Sequence, residues 1–312
     1  MFKVEGAAAK TNDRLSGILC PVVTPFNEDL SPDSVRLIRQ CKWLLSQNVG
    51  LAVFGTNSEA NSLSVEEKIL LLDELVDGGI DVSRMMPGTG CCALPDTVRL
   101  TKHAVNVGCA GALMLPPFYY KGVSDDGLFA SYAEVIERVA SPALRIYLYH
   151  IPPVAQVGIS VDLIERLISA YPNTVVGIKD SSGDWSNTSA MLERQWDDFR
   201  IFAGSEGFLL ENMRNGGSGC ISATANINPA AIDHLYQEWQ SEQADALQLS
   251  LNKIRDTAMA YPMIPGLKAT VAHFTDDTQW RTVRPPLVSL PMEQGDTLIT
   301  ALQELGFDMP GL

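Results

Sequence analysis

The chain has 312 residues, of which 46% are hydrophobic and 19% charged, and its formal net charge is −14. This length fits one large α/β barrel with an appendage, or two ordinary domains. The acidic balance argues against a nucleic-acid partner, and no apolar run reaches the roughly 18 residues of a membrane-spanning helix, so we expect a soluble protein in the cytoplasm.

Eight short apolar runs follow one another along the chain, each ending in small or polar residues and each followed by an amphipathic segment. Residues 1–16, which precede them, lack the uninterrupted apolar stretch of a signal peptide and are predicted to be a loose N-terminal leader. The runs begin at residues 17, 50, 84, 111, 144, 174, 200 and 219. Continuous apolar strands that alternate with helices indicate parallel strands buried on both faces.

Eight such units within residues 17–228 predict an α/β fold, the (β/α)8 TIM barrel, for which about 250 residues is typical. A doubly wound open sheet would more often carry a glycine-rich phosphate turn after its first strand, and the sequence GILCPVVTPF has none. After residue 228 the pattern becomes purely helical. Residues 229–312 are therefore predicted to form a C-terminal helical region that packs on the barrel.

The candidate functional residues directly follow the apolar runs, because such a barrel builds its active site at the carboxyl ends of its strands. In the segment TVVGIKDSSGDWS, an apolar run leads straight into Lys179. A mostly neutral cavity disfavours the ammonium form, and the neutral amine is a nucleophile toward carbonyl carbons. The alternative is an ion pair with Asp180 or another carboxylate of the barrel that serves stability only.

A nucleophilic amine needs a proton shuttle that is neutral at pH 7. Tyr149, at the end of the fifth run, can serve, and Thr56 can relay protons to it. A catalytic metal is not expected, because His150 is the only histidine at a strand end and no His/Asp/Glu cluster accompanies it.

Six ordered motifs between residue 17 and about residue 290 resemble the dihydrodipicolinate synthase / N-acetylneuraminate lyase family. They are T-P-F near 24, G-T-x-x-E at 55–59, P-x-Y-Y around 117–120, Y-x-x-P at 149–152, G-I-K-D at 177–180 and G-x-I-S-x-T-A-N at 219–226. The resemblance implies a (β/α)8 lyase or class I aldolase that binds pyruvate or another 2-oxo acid as a lysine imine, with no other cofactor.

Position by position, the resemblance makes Lys179 the imine-forming residue and Tyr149 the acid and base that shuttles protons. Thr56 and Asn57 would hold the carboxylate of the 2-oxo acid through hydroxyl and backbone N–H donors, which suits the start of a helix. Ile221 would line the pocket beside the imine.

The resemblance also implies a homotetramer, a dimer of dimers. A tyrosine of the P-x-Y-Y motif would then reach into the site of a neighbouring subunit as part of a tyrosine–threonine relay. Counting from Pro117 gives Tyr119, and counting back from Gly127 gives Tyr120, so both stay candidates.

Two departures from the family's motifs bear on the substrate. The family's G-T-T-G-E is here G-T-N-S-E, with Asn57 and Ser58 in place of threonine and glycine, and backbone binding of a carboxylate should survive. Where dihydrodipicolinate synthases have Y-N-V-P-S-R-T-G, this chain has Y-H-I-P-P-V-A-Q-V-G, so Val154 replaces the arginine that grips the second substrate. Since a bidentate Arg–carboxylate pair is a strong contact, condensation with aspartate semialdehyde is not expected.

Other residues at the strand ends admit two interpretations. His150, Ser205 and Glu206 are candidates to contact a hydroxylated substrate chain, but His150 can equally point outward because adjacent strand residues alternate sides. Glu59 is expected to bind orphan N–H groups at a helix start and not to act in catalysis. Tyr147 is expected to fill a layer of the barrel.

The leading functional hypothesis is a Schiff-base lyase or aldolase that acts on pyruvate or a 2-oxo-3-deoxy acid together with an aldehyde. Dehydration of a 2-keto-3-deoxy sugar acid through the same imine is an alternative, and so is a genuine 4-hydroxy-tetrahydrodipicolinate synthase. A non-catalytic barrel that binds 2-oxo acids is disfavoured, because amine, phenol and hydroxyl relay are all present.

Overall fold

The computed structural model describes residues 14–312, so most of the predicted leader lies outside the described residues. Within this range seven strands form one parallel sheet in the order β2-β1-β7-β6-β5-β4-β3. They are β1 (Gly17–Cys20), β2 (Gly50–Leu51), β3 (Ala112–Met114), β4 (Ile146–His150), β5 (Val175–Asp180), β6 (Arg200–Ala203) and β7 (Gly219–Ile221).

An irregular eighth segment closes the barrel between β2 and β3. The backbone forms isolated parallel bridges from Met85 to Leu51 and from Gly88 to Leu113. The run at residue 84 is predicted to be a strand, but it does not form a regular one. One physical reason is Pro87, which has no N–H to donate to a neighbouring strand. Its carbonyl still accepts from the Leu113 N–H at 2.9 Å, so the ring is complete and the predicted (β/α)8 barrel is confirmed.

Twelve α-helices are described within residues 14–312, and they include the predicted amphipathic segments. They are α1 (Ser34–Ser46), α2 (Val65–Asp77), α3 (Leu94–Asn106), α4 (Asp125–Val139), α5 (Pro152–Ala155), α6 (Val161–Ala170), α7 (Trp185–Leu192), α8 (Leu209–Arg214), α9 (Pro229–Gln237), α10 (Ala244–Met259), α11 (Met263–Phe274) and α12 (Met292–Glu304). No helix among these residues is long and apolar enough to cross a membrane.

Side-chain caps fix where several barrel helices begin. Asp33 accepts from the backbone N–H of Arg36 at the start of α1. Ser64 and Glu67 form a reciprocal capping box at the start of α2. Each such cap satisfies N–H groups that would otherwise be orphaned, and it stabilises the helix by about 1 kcal/mol.

The barrel interior is filled by one apolar cluster to which all eight segments of the ring contribute. Its buried members are Leu19, Ala52, Met86, Leu113, Tyr147, Tyr149, Val176, Phe202 and Ile221. Tyr147 is fully buried, its hydroxyl accepts from the Leu15 N–H at 2.7 Å and its ring meets Phe202 edge to face, so it fills a barrel layer as predicted. The carboxyl ends of the strands lie at one end of this packed interior.

The helices after residue 228 pack directly on the barrel. Leu251, Leu267 and Leu298, from α10, α11 and α12, belong to the same apolar core as Ile18 of β1. The predicted C-terminal helical region is therefore confirmed, while the exact boundary at residue 228 stays a prediction. This packing brings the end of α10 and the start of α11 over the carboxyl ends of the strands.

Candidate active site

The pairing of β4 with β5 places Tyr149 directly opposite Lys179. Residues in register on neighbouring parallel strands share a face, so both side chains point into the barrel mouth. The Lys179 Nζ lies 3.4 Å from the Tyr149 hydroxyl and 4.4 Å from the centroid of its ring. Both residues are only 2% exposed. The structure thus brings the predicted amine and phenol together.

A third polar group extends this pair into a chain. The Thr56 Oγ1 lies 3.2 Å from the Tyr149 hydroxyl, so the three groups run from amine to phenol to hydroxyl. Thr56 follows β2, on the opposite side of the ring from β4 and β5, and the closed barrel brings it to Tyr149 as the sequence predicted. A connected chain of this kind can move a proton between its members.

No carboxylate pairs with Lys179 among residues 14–312. The carboxylate of its neighbour Asp180 points out of the barrel, where it accepts from the Ser182 N–H at 2.9 Å, the Asn187 amide at 2.9 Å and the Thr188 hydroxyl at 2.7 Å. The alternative of a purely structural ion pair between Lys179 and Asp180 is therefore wrong. Asp180 instead holds the loop that leads into α7.

The turn at residues 55–59 presents two backbone N–H groups at the mouth. Within the described part of the chain, the N–H groups of Thr56 and Asn57 donate to no protein acceptor. The Ser58 hydroxyl accepts from the Gly55 N–H at 3.2 Å, and its carbonyl accepts from the Thr24 hydroxyl at 2.7 Å. Serine in place of the family's glycine thus fastens the turn, and two adjacent free N–H groups suit a small anion.

The Glu59 carboxylate accepts no N–H at the helical turn that follows it, so the predicted capping role is wrong, while the absence of a catalytic role stays a prediction. Its carboxylate forms a buried ion pair with Lys268 of α11, with Nζ–O distances of 3.1 and 3.3 Å, and Lys268 also donates to the Thr282 carbonyl at 2.8 Å. Both side chains are 0% exposed. Burial lowers the pKa of Lys268 to about 8, opposed by the Glu59 charge, and burial raises the pKa of Glu59, opposed by Lys268.

These polar groups open into a cavity of about 600 Å³ between the barrel mouth and the C-terminal helices. Thr56, Asn57, Tyr149, Lys179 and Ser205 all line it. The Ser205 hydroxyl also accepts from the Gly207 N–H at 3.0 Å, which caps the turn after β6. Five of the predicted site residues therefore share one cavity.

Val154 lies at the rim of this cavity with 61% of its surface exposed. The position at which dihydrodipicolinate synthases carry their arginine is thus at the entrance here, and it presents an isopropyl group in place of a guanidinium.

Two predicted contact residues do not reach the cavity. His150 pairs with Asp180 and faces outward, where its Nδ1 accepts from the Ile159 N–H at 2.9 Å; burial lowers its pKa, opposed by Asp180. The expected substrate contact by His150 is therefore wrong, because its neighbour Tyr149 takes the inward face. Ile221 is fully buried in the barrel interior below the cavity and is not among its lining residues.

Tyr119 and Tyr120 are not among the residues that line the cavity of their own chain. They are 72% and 73% exposed, and their rings meet edge to face with centroids 5.3 Å apart. The role of either tyrosine in a relay of a neighbouring subunit stays a prediction.

Glu206 and Arg255 form a second charged pair at the cavity, and Arg255 is a residue that the sequence did not point to. The Arg255 Nη1 lies 2.9 Å from the Glu206 carboxylate, which is also bound by the Ser222 and Thr224 hydroxyls. Glu206 is 1% exposed and does not line the cavity, so it does not contact substrate as proposed. Arg255 comes from α10, outside the strand ends that sequence reasoning inspects.

No group of three or more His, Cys, Asp and Glu side chains able to hold a metal ion lies within residues 14–312. That the reaction needs no metal stays a prediction.

A (β/α)8 barrel whose strand ends carry a buried amine, a phenol and a hydroxyl in one chain defines an enzyme of the barrel lyase class. The sequence matches the Dihydrodipicolinate synthetase family over residues 14–305, and the chain belongs to that family. Members of the family are lyases of the class I aldolase type, and this chain is one of them.

Three relatives illustrate the range of the family. An "Uncharacterized DapA-like lyase" of Chloroflexus aurantiacus is 32% identical over 93% of this chain and 96% of its own length. The crystal structure of a dihydrodipicolinate synthase from Agrobacterium tumefaciens matches with a TM-score of 0.86 and 32% identity, over 93% of this chain and 99% of that one. A prophage protein of the same family from E. coli K12, in complex with pyruvate, matches with a TM-score of 0.85 and 25% identity, over 94% and 99% of the two chains.

Proposed function

We propose that this protein is a lyase that forms an imine between Lys179 and pyruvate or a 2-oxo-3-deoxy acid. One observation carries the proposal: a buried lysine with no carboxylate partner among residues 14–312 contacts Tyr149, which contacts Thr56. A lysine amine that is withdrawn from water and unpaired is suited to attack a carbonyl carbon. The E. coli K12 relative is described in complex with pyruvate, which supports the same class of substrate.

In the proposed reaction the Lys179 nitrogen adds to the 2-oxo carbon, and the oxo oxygen leaves as water to give the imine. A proton then leaves C3 and its electron pair forms the enamine. The enamine carbon bonds to the carbon of an aldehyde, while the aldehyde oxygen takes a proton from Tyr149. Water finally hydrolyses the imine and returns the free amine; cleavage is the reverse sequence. The intermediate is covalent, so the proposed chemistry uses no separate cofactor.

The free N–H groups of Thr56 and Asn57 are proposed to hold the carboxylate of the 2-oxo acid. Both residues line the same cavity as Lys179, and two adjacent unpaired backbone donors suit an anion without a further side chain. Binding there would place the 2-oxo carbon toward the amine. The Tyr149 hydroxyl, between amine and threonine, is then positioned for proton transfer in both directions.

The test is a borohydride trap. Incubating the protein with pyruvate, reducing it and measuring its intact mass should show one permanent adduct, which peptide mapping places on Lys179. Lys68, a buried lysine of α2, is an internal control and should stay unlabelled. Lys179→Ala should abolish both adduct and activity. An absent adduct with pyruvate and other 2-oxo acids, or an unchanged adduct in Lys179→Ala, would refute the proposal.

Dehydration of a 2-keto-3-deoxy acid is a second candidate, because the same imine acidifies C3 and allows a C4 hydroxyl to leave. Release of pyruvate from a panel of 2-oxo-3-deoxy acids identifies the aldolase, whereas loss of water without pyruvate identifies the dehydratase. A genuine 4-hydroxy-tetrahydrodipicolinate synthase is favoured by the names of several relatives, and the apolar Val154 argues against it.

A homo-oligomer is proposed on the basis of the two exposed tyrosines, and its arrangement as a dimer of dimers is proposed from the resemblance to the family. An edge-to-face pair of aromatic rings in which both residues are more than 70% exposed is typical of an interface. Light scattering gives the mass of the assembly, and Tyr119→Ser and Tyr120→Ser, compared with each other, show which ring also affects turnover.

A further inference from the structure

The cavity has two chemically different sides. Its inner side, at the strand ends, carries the hydroxyl, amide and amine groups of Thr56, Asn57, Tyr149, Lys179 and Ser205. Its outer side comes from the C-terminal region, and apart from Arg255 every described residue that this region contributes is apolar. They include Met259, Met263, Ile264, Leu287 and Val288.

The apolar side continues onto the rim of the cavity. Val154, Met259 and Val288 are 61%, 47% and 78% exposed, and each belongs to the small group of large hydrophobic side chains that the described chain leaves exposed. Scattered exposed apolar residues are ordinary, but a set that surrounds one entrance marks a binding surface.

Arg255 does not make the outer side a second anion site. Its Nη1 donates to the Glu206 carboxylate at 2.9 Å and to the Ser222 hydroxyl at 3.3 Å. Glu206 is buried, so its charge balances the guanidinium from directly behind. Among the described lining residues, the outer side therefore offers no unbalanced cation to a carboxylate.

Such a surface discriminates between substrates by their hydroxyl groups. A chain of hydroxyls laid on an apolar wall loses its hydrogen bonds to water and gains no partner, whereas an alkyl or aryl group loses only contact with water. A pocket that fits one extra methylene or methyl group already prefers it by about 10- to 200-fold.

We propose that the second substrate is an aldehyde with an apolar body, aryl or branched alkyl, whose carbonyl meets the inner side while its body packs on the outer side. This proposal rests on the imine chemistry proposed for Lys179. In the cleavage direction the substrate is a 2-oxo acid with a hydroxyl at C4 and an apolar substituent on that carbon. The Tyr149 hydroxyl faces the C4 oxygen, and the remainder of the molecule requires no further hydrogen bond.

The experiment measures kcat/KM for condensation of pyruvate with aldehydes of three classes. Benzaldehyde and isobutyraldehyde represent the apolar class, glyceraldehyde and erythrose the hydroxylated class, and succinic semialdehyde the anionic class. We expect the apolar class to exceed both others by at least about tenfold. A preference for a hydroxylated or anionic aldehyde, or no turnover of either apolar aldehyde, overturns the proposal.

Two rim variants and a matched control test whether the apolar outer side causes the preference for apolar aldehydes. Met259→Gln and Val288→Asn should each lower kcat/KM for benzaldehyde by about fivefold to tenfold and leave the pyruvate adduct unchanged. Val35→Asn is the control, because Val35 lies on α1 outside the cavity and its 77% exposure equals that of Val288 within one per cent. Equal losses in all three variants, or no loss in the rim variants, contradict the assignment of this wall.

The borohydride trap separates failure of this proposal from failure of the imine. It needs no aldehyde, so a labelled Lys179 with a hydroxylated or anionic preference rejects the apolar pocket alone. An unlabelled Lys179 rejects the imine and the aldehyde assignment together.

Discussion

The buried pair of Lys268 and Glu59 allows a sharp test of how the C-terminal region supports the site. Lys268→Met keeps an unbranched side chain one atom shorter and removes its charge, which leaves the Glu59 carboxylate without its partner inside the protein. Glu59 follows Asn57 by two residues and sits in the left-handed backbone region at φ 55°. A non-glycine residue stays there only when its surroundings hold it.

The contacts set the size of the expected effect. Lys268 makes two hydrogen bonds to the carboxylate and one to the Thr282 carbonyl, with no water access to either charged group. Breaking a buried pair of this kind from one side costs about 3–5 kcal/mol. With an unfolding entropy of about 2.1 cal/mol/K per residue, this lowers the unfolding midpoint of a 312-residue chain by about 5–8 °C.

Thermal unfolding of Lys268→Met, Glu59→Gln and the double variant forms a mutant cycle. The double variant should be less destabilised than the sum of the single variants by about 2 kcal/mol or more, because it leaves no unpaired charge. Lys42→Met, at an exposed lysine of α1, is the control and should change stability by less than about 0.5 kcal/mol. The apparent KM for pyruvate should rise in Glu59→Gln, since the turn that carries Thr56 and Asn57 loses its anchor.

Two results would refute this reasoning. If Lys268→Met unfolds at the same temperature as the unmodified protein, the pair does not hold the C-terminal region to the turn. If the cost of the double variant equals the sum of the single costs, the two residues act independently and the ion pair has no energetic role.

Three further predictions follow from the site and its surroundings. Thr56→Val should lower kcat by about 10- to 100-fold, and Thr56→Ser should keep most of the activity. Thr300→Val on α12 is the control and should leave kcat unchanged. A full kcat for Thr56→Val in steady-state kinetics would contradict the relay. Burial lowers the pKa of His150 in the fold, so between about pH 6.5 and that lower pKa the unfolded chain binds a proton that the folded chain does not. Stability should therefore fall as the pH drops through this window, by at most about 1.4 kcal/mol per pH unit, and the fall should end at the folded pKa. Denaturant titrations at pH 5.5 and 7.5 should show this loss reduced in His150→Asn but not in His234→Asn, and identical pH profiles would exclude His150 as its source. Val154→Arg should raise kcat/KM for aspartate semialdehyde by at least about tenfold, and no change would show that this rim position does not select the second substrate.

The sequence by itself determined the repeating unit and its chemistry. Apolar runs that alternate with amphipathic segments have few solutions, so eight of them predict the barrel and its helical C-terminal region. The strand-end rule then selected Lys179, Tyr149 and Thr56 without any contact being known, because in this fold the carboxyl ends of all the strands meet. Sequence patterns are sufficient to predict features that depend on residues close together along the chain.

The tertiary structure decided each question that depends on residues far apart in sequence. Whether Lys179 was paired with Asp180 depended on which face of β5 each side chain takes, and His150 faced outward for the same reason on β4. The partners of Glu59 and Glu206 are Lys268 and Arg255, which lie 209 and 49 residues further along the chain. No periodicity links such positions, because the ion pairs form only when the C-terminal helices fold back over the barrel mouth. That same folding supplies the apolar wall, so the sequence specified the amine while the packing of α10 and α11 shaped the space in which its substrate must fit.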